Sequence, residues 1–225
     1  VEMKRIPDNS IDMILCDLPY GTTACKWDTI IPFEPLWVEY ERVIKDNRAI
    51  VLTASQPFTS ALVMSNIKMF KYEWIWDKKI PSGMSYARFQ PMRQHENILV
   101  FCKGKTNYNP QMVKRDKPIK SGGTKYSETA PIAHKDVSFK KTYDYKNPTT
   151  IVVESKVRRG SYHPTQKPVA LFEYLIKTYT NEGDLVLDNC AGSGTTGVAC
   201  RNTNRDYILI EQEKKYIDII NERLL

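Results

Sequence analysis

Leu185-Val186-Leu187-Asp188-Asn189-Cys190-Ala191-Gly192-Ser193-Gly194-Thr195-Thr196-Gly197 is the stretch that decides the fold. A short apolar run passes through a glycine turn into helix-forming residues, and a second apolar run, Tyr207–Ile210, ends beside Glu211. Glycine permits positive φ and lets a ligand approach the backbone. The helix that follows presents unpaired N–H groups at its start. Gly192, Gly194 and Gly197 match G-x-G-x-x-G, and an acid closing the next strand can bond the two hydroxyls of a ribose. Three uses fit: a dinucleotide site, a site for a nucleoside cofactor without pyrophosphate such as S-adenosylmethionine, or a tight structural turn. The order of strand, loop, helix, strand and acid disfavours the bare turn. No lysine stands at the P-loop position, which disfavours nucleoside triphosphate hydrolysis. Asp188, last on its strand, leans the loop towards a cationic ligand such as a sulfonium amino acid.

Outward from this loop, strand and helix signals alternate. Ile11–Cys16, Ala49–Thr53, Tyr72–Trp76 and Asn97–Cys102 read as strands, and Phe33–Lys45 and Pro57–Ile67 as helices, the latter with proline in its first turn. After the middle of the chain, Val169–Tyr179 reads as a helix, Leu185–Leu187 as a strand, Thr195–Cys200 as the opening of a helix, and Lys214–Leu224 as a last amphipathic helix. Together with Tyr207–Ile210 this gives six strands. Strands alternating with helices of this length predict right-handed crossovers and an α/β fold with a doubly wound, mostly parallel, Rossmann-like sheet. Residues 103 to about 162 show no sustained periodicity and read as an inserted lobe or long ordered loops. The chain therefore divides into residues 1–102, an insertion over 103–161, and residues 162–225 that complete the first domain.

Asp17-Leu18-Pro19-Tyr20-Gly21 follows the first strand directly. Ligands of open α/β sheets bind at the carboxyl ends of strands, so this loop and the glycine loop can face one crevice. A carboxylate and a neighbouring carbonyl both accept hydrogen bonds from an amino group, an aromatic ring stacks on a base drawn from its helix, and proline stiffens the turn that aims them. An ordinary Asp-x-Pro turn closing a strand is the competing reading.

Charge adds a partner. Residues 103–159 hold 14 Lys/Arg against 5 Asp/Glu, a net of +9, so with +7 overall the rest of the chain carries −2. Interleaved with Tyr108, Tyr126, Phe139, Tyr143 and Tyr145, this block suits a polyanion-binding lobe or, equally, a solvated surface. The five cysteines are scattered singly without a C-x-x-C pair, and three histidines make a zinc site improbable, so no metal is expected. The odd cysteine count predicts reduced thiols. No apolar run approaches the roughly 20 residues of a membrane helix, and a cytoplasmic protein is expected.

With both loops quoted, the chain resembles the S-adenosylmethionine-dependent amino-methyltransferases of DNA, in the permuted class whose catalytic motif precedes the cofactor motif. Asp17-Leu18-Pro19-Tyr20 is similar to the D-P-P-Y tetrad, and Asp188 to Thr196 to the D-P-F-x-G-S-G-T-T loop. His163-Pro164-Thr165-Gln166-Lys167-Pro168 matches the H-P-T-Q-K-P segment without change. The similarity spans 6–102 and 162–224, and the basic middle falls where the family carries its target-recognition region. The resemblance implies methyl transfer to the exocyclic amino group of adenine in double-stranded DNA after base flipping, and it leaves room for a homodimer. It implies that Asp17 and the Leu18 carbonyl accept hydrogen bonds from the target amino group, that Pro19 fixes the turn, and that Tyr20 stacks on the base. It implies further that Asp188, Asn189, Cys190, Gly192, Gly194, Thr195 and Thr196 cradle the cofactor, that Glu211 holds its ribose, and that His163, Thr165, Gln166 and Lys167 line its methionine end.

Leu18, Asn189 and Cys190 depart from the family pattern. The family's strand ending in Gly-Asp before a segment like Val1–Ser10 is missing, from which a truncated start is expected. A cytosine amino-methyltransferase is the nearest alternative, since Asp at the head of the tetrad favours adenine and Ser favours cytosine. An NAD-dependent oxidoreductase would leave the tetrad, the hexapeptide and the basic block unexplained. A DNA-binding protein without catalysis is the third reading, kept open by Leu18 and Cys190.

Overall fold

A computed structural model describes residues 2–23, 25, 28–120, 142–157 and 160–225. The chain forms two compact units, one of Val1–Asn109 with Thr150–Leu225 and one of Pro110–Thr149. In chain order the elements are β1 (Ile11–Asp17), α1 (Phe33–Val43), β2 (Ile44–Ala54), α2 (Phe58–Ser65), β3 (Phe70–Ser82), β4 (Arg93–Cys102), β5 (Val113–Lys120), β6 (Thr142–Lys146), β7 (Ile151–Val153), α3 (Val169–Tyr179), β8 (Leu185–Asp188), α4 (Thr195–Asn202), β9 (Asp206–Leu209) and α5 (Lys214–Leu224).

The larger unit is built on a seven-stranded sheet in the order β7-β3-β4-β2-β1-β8-β9. Strands β2, β1, β8 and β9 run parallel, β4 is antiparallel to both its neighbours, and β7 pairs parallel with β3. The mainly parallel, doubly wound architecture agrees with the sequence reading. Successive strand residues serve opposite faces. Ile14, Cys16, Ile50 and Leu52 pack with Leu36, Trp37 and Tyr40 of α1 and Phe58 and Leu62 of α2. Met13, Leu15, Ala49 and Val51 pack with Leu171, Leu175 and Ile176 of α3 and Ala199 and Cys200 of α4. A strand covered on both faces has no polar side to show, hence its unbroken apolar run.

At the amino ends of these strands, buried Asp12 binds Lys45 at 2.8 Å and Arg48 at 3.0 Å and accepts the Leu185 N–H. This pins β1 to both neighbours, and their opposite ends share one rim.

Two expectations need correction. The sheet has seven strands instead of six, because β7 adds an edge next to Ile75–Asp77. Three residues are too few for periodicity to register. The stretch expected to lack regular structure also contains β5 and β6, an antiparallel pair. Almost all their side chains are exposed, so no apolar alternation marks them. Strands β2, β3 and β4 extend beyond their predicted spans because polar residues continue the pairing past the core. Tyr126 and Phe139 of the basic block lie outside the described residues.

Candidate active site

Asp17 ends β1 and Asp188 ends the adjacent parallel β8, so the tetrad and the glycine loop leave the sheet side by side. Both loops line one cavity of about 780 Å³, in the upper part of the range for pockets that take a drug-sized ligand. Asp17, Leu18, Pro19, Tyr20, His163, Thr165, Gln166, Lys167, Asp188, Asn189, Cys190, Gly192, Thr195 and Glu211 all contribute to its wall. Gly194 and Thr196 shape the loop from behind.

The Asp17 carboxylate is held from several sides. Lys167 Nζ lies 2.7 Å from each oxygen. The Thr53 hydroxyl donates to Oδ1, and the Tyr20 hydroxyl lies 2.8 Å from the same atom. A carboxylate offers about four lone-pair sites, so Oδ2 retains capacity for one further donor. Lys167 is 6% exposed and lies 3.5 Å from Glu96 Oε2, while Lys78 meets Glu96 Oε1 at 3.1 Å. Burial opposes the charge on Lys167, but Asp17 and Glu96 outweigh it and raise its pKa. Glu96 Oε2 is the one buried side-chain oxygen or nitrogen among the described residues without a hydrogen bond. The structure thus sets Lys167 against the tetrad, where the resemblance implied the methionine end.

Tyr20 is fixed at both ends. Its ring stacks on Phe58 at 5.3 Å and 26°, and its hydroxyl also reaches Thr53 at 2.9 Å. Burial first, then the charges of Asp17 and Glu96, push its pKa well up, so the phenol stays neutral. Stacking on a base would need the ring face opposite Phe58. Leu18, in place of the first proline, is buried in the core under α1 and α2, which restrains the turn by packing. Asp28 ties the rest of the loop by accepting N–H groups from Gly21, Thr22 and Thr23 at 2.7–2.9 Å. Burial raises its pKa, but the Thr23 hydroxyl and these N–H groups outweigh burial and hold it below the usual carboxylate range.

On the cofactor side, Asp188 accepts the Cys190 N–H at 3.0 Å and the Thr196 hydroxyl. Burial drives its pKa up to about 6 against both hydrogen bonds. Asp188 therefore organises the loop. Asn189 accepts the Tyr40 hydroxyl at 2.6 Å, a bond that a proline there would forgo. Gly192 and Gly194 take φ of +51° and +78°, and a Cβ on Gly194 would stand 2.9 Å from Ile220 of α5. Glu211 accepts the N–H groups of Gly192, Gln212 and Glu213 at 2.8–2.9 Å, which leaves Oε2 room for one more donor. Gln166 accepts the Tyr162 N–H and the Ser193 hydroxyl, stapling the hexapeptide to the glycine loop. His163 lies 4.5 Å from the Tyr216 ring and bonds Thr165; burial lowers its pKa despite Asp17 and Glu211. Cys16 sits behind both loops with its thiol raised by burial, which makes it no nucleophile.

Sequence reasoning missed Thr53, Glu96, Lys78, Asp28 and Phe58. Thr53 was the most accessible, since it lies next to the end of the strand beside Asp17 and pairs with it in register. Glu96 reaches the rim because β4 is antiparallel, which the apolar pattern cannot tell.

The profile of a family described as DNA methylase matches residues 11–222. The type II methyltransferase M.HpaI of Haemophilus parainfluenzae is 30% identical over 239 residues, covering 99% of this chain and 70% of that protein. The DNA adenine methyltransferase YhdJ of Escherichia coli (strain K12) is 29% identical over 251 residues, covering 99% and 79%. Among solved structures, the M1.HpyAVI–SAM complex superposes with a TM-score of 0.64 at 26% identity, covering 99% of this chain and 92% of that one. The cytosine-N4-specific PvuII DNA methyltransferase shares the fold, with a TM-score of 0.69 at 15% identity, covering 99% and 82%.

Proposed function

This chain belongs to the DNA methylase family, and from that membership we propose that it transfers a methyl group from S-adenosylmethionine to the exocyclic amino group of adenine in double-stranded DNA. The observation that carries the reading is the single cavity shared by the Asp17 and Gly192 loops. The relative YhdJ is a DNA adenine methyltransferase, which favours adenine over cytosine, and the neighbour M1.HpyAVI is a complex with SAM, which supports the cofactor. The wall fits the cofactor: a cradle with two positive-φ glycines at the start of α4, and a Glu211 oxygen with capacity for a ribose hydroxyl.

S-adenosylmethionine, when bound, supplies an electrophilic sulfonium methyl. The residues 188–196 hold it, Glu211 takes one ribose hydroxyl, and His163, Thr165 and Gln166 close the methionine end. Asp17 Oδ2 and the Leu18 carbonyl accept hydrogen bonds from the adenine amino group and aim its lone pair across the cavity. Lys167, Thr53 and Tyr20 keep the carboxylate from turning away. Fixed dipoles and orientation together do the work that a covalent nucleophile does elsewhere. The basic stretch within residues 103–161 recognises the target, and the protein acts inside the cell. Among the described residues no helix is long and apolar enough to cross a membrane.

Labelled S-adenosylmethionine and unmethylated DNA test the proposal with the parent and Asp17→Ala. The parent transfers label, and the variant binds the cofactor in calorimetry but transfers none. Equal transfer by both removes Asp17 from the reaction, and a parent that transfers nothing overturns the function.

A further inference from the structure

Between β3 and β4 the chain makes a loop, residues 83–92, whose feet stand in the wall of the shared cavity. Ser82 and Arg93 pair across the base of the loop, and both line that cavity. Each foot is tied down: Arg93 donates to the Ser55 hydroxyl at 3.0 Å, and Lys156 to Ser82 Oγ at 2.7 Å. Pro81 and Pro91 stiffen the two sides. Within the loop the N–H groups of Tyr86, Ala87, Phe89 and Gln90 bond back to Gly83, Met84 and Tyr86 at 2.9–3.1 Å. This ordered loop turns its largest apolar side chains outward: Phe89 is 86% exposed, Met84 74% and Tyr86 61%. Apolar groups gathered at one tip beside a ligand cavity mark a contact surface.

Charge identifies what covers it. Residues 78–93 contain four Lys/Arg and no Asp/Glu, and of these Lys79, Arg88 and Arg93 are exposed. Cations around an apolar tip suit a phosphate backbone flanking a base stack. We propose that the 83–92 loop is a wedge that enters the duplex where the target base leaves it, with Phe89 filling the vacated place in the stack. The proposal deepens the function argued above and rests on it. Removing a paired base costs unstacking energy, and proteins that open a base step often insert an apolar side chain there. An exposed ring anchored a few residues from the cavity wall meets that need.

Two short duplexes carrying a methylated site mapped with the parent test it, one fully paired and one lacking the base opposite the target adenine. Phe89→Ala lowers the methylation rate on the paired duplex about tenfold while staying within about twofold of the parent on the gapped duplex, where the pairing cost is gone. Phe89→Leu, still a bulky wedge, recovers most of the loss. An equal fall on both duplexes assigns the loop a structural role and overturns the wedge, as does a variant unchanged on both. A parent that methylates neither duplex fails earlier, in the function itself, and takes the wedge with it.

Discussion

Asp188→Asn isolates the energetic cost of the buried acid in the glycine loop. The folded protein raises the Asp188 pKa from 3.8 to about 6, chiefly by burial. Such a group holds its proton more tightly folded than unfolded, so protonation favours the fold. Its destabilising effect is absent below pH 3.8, grows between the two values, and is complete above about 6. The full cost is about 3 kcal/mol, from roughly 1.4 kcal/mol per pKa unit. Between pH 7.5 and 5.0 the same linkage returns about 1.4 kcal/mol to the parent. Asparagine keeps an acceptor for the Cys190 N–H and an amide to meet the Thr196 hydroxyl, and it has no charge to lose. The melting temperature of the parent relative to Asp188→Asn should therefore rise by about 3–6 °C from pH 7.5 to 5.0 in a chain of this size. Scanning calorimetry of both proteins at the two pH values measures it. A parent melting temperature that holds constant relative to Asp188→Asn, or that falls relative to it at pH 5.0, refutes the burial argument.

Three further outcomes follow from the same geometry. Lys167→Met leaves Asp17 and Glu96 facing each other without their shared cation; breaking a buried pair costs about 3–5 kcal/mol, so thermal melting drops well below the parent and methyl transfer is lost, and a variant that melts like the parent contradicts the pairing. Gly194→Ala forces a side chain into φ +78° and against Ile220; the left-handed conformation alone costs about 1–2 kcal/mol, and calorimetric titration shows weaker S-adenosylmethionine binding, whereas unchanged affinity would detach the turn from the cofactor. Duplex affinity falls steeply between about 50 and 200 mM salt if the basic residues of 103–159 meet several phosphates; fluorescence anisotropy with a labelled duplex checks this, and a flat response removes that lobe from the interface.

Most of what positions the two loops was legible in the sequence, because a strand buried on both faces has to be apolar throughout. The run from Ile11 to Cys16 and the step from Leu187 into glycine are direct consequences of that burial. Helices α3 and α5 were readable to their ends, since Val169–Tyr179 follows Pro168 and Lys214–Leu224 keeps one apolar stripe. Strand β7 was not, since three residues on an edge carry too little pattern, and β5 and β6 have no buried face to encode. At the site, sequence proximity revealed the loops but not their partners. Lys167 meets Asp17 across 150 positions, and Glu96 reaches it only because β4 reverses direction. The hexapeptide marked Lys167 as functional, while its place on the tetrad carboxylate depends on how the two halves of the sheet close.

The most direct test is the mass of the modified nucleoside. The protein is incubated with S-adenosylmethionine carrying a trideuterated methyl group and unmethylated mixed-sequence duplex DNA, and the DNA is digested and analysed by mass spectrometry. The account predicts deoxyadenosine bearing the heavy methyl on its exocyclic nitrogen. Heavy methyl on the cytosine amino group, or unlabelled DNA despite bound cofactor, would contradict it.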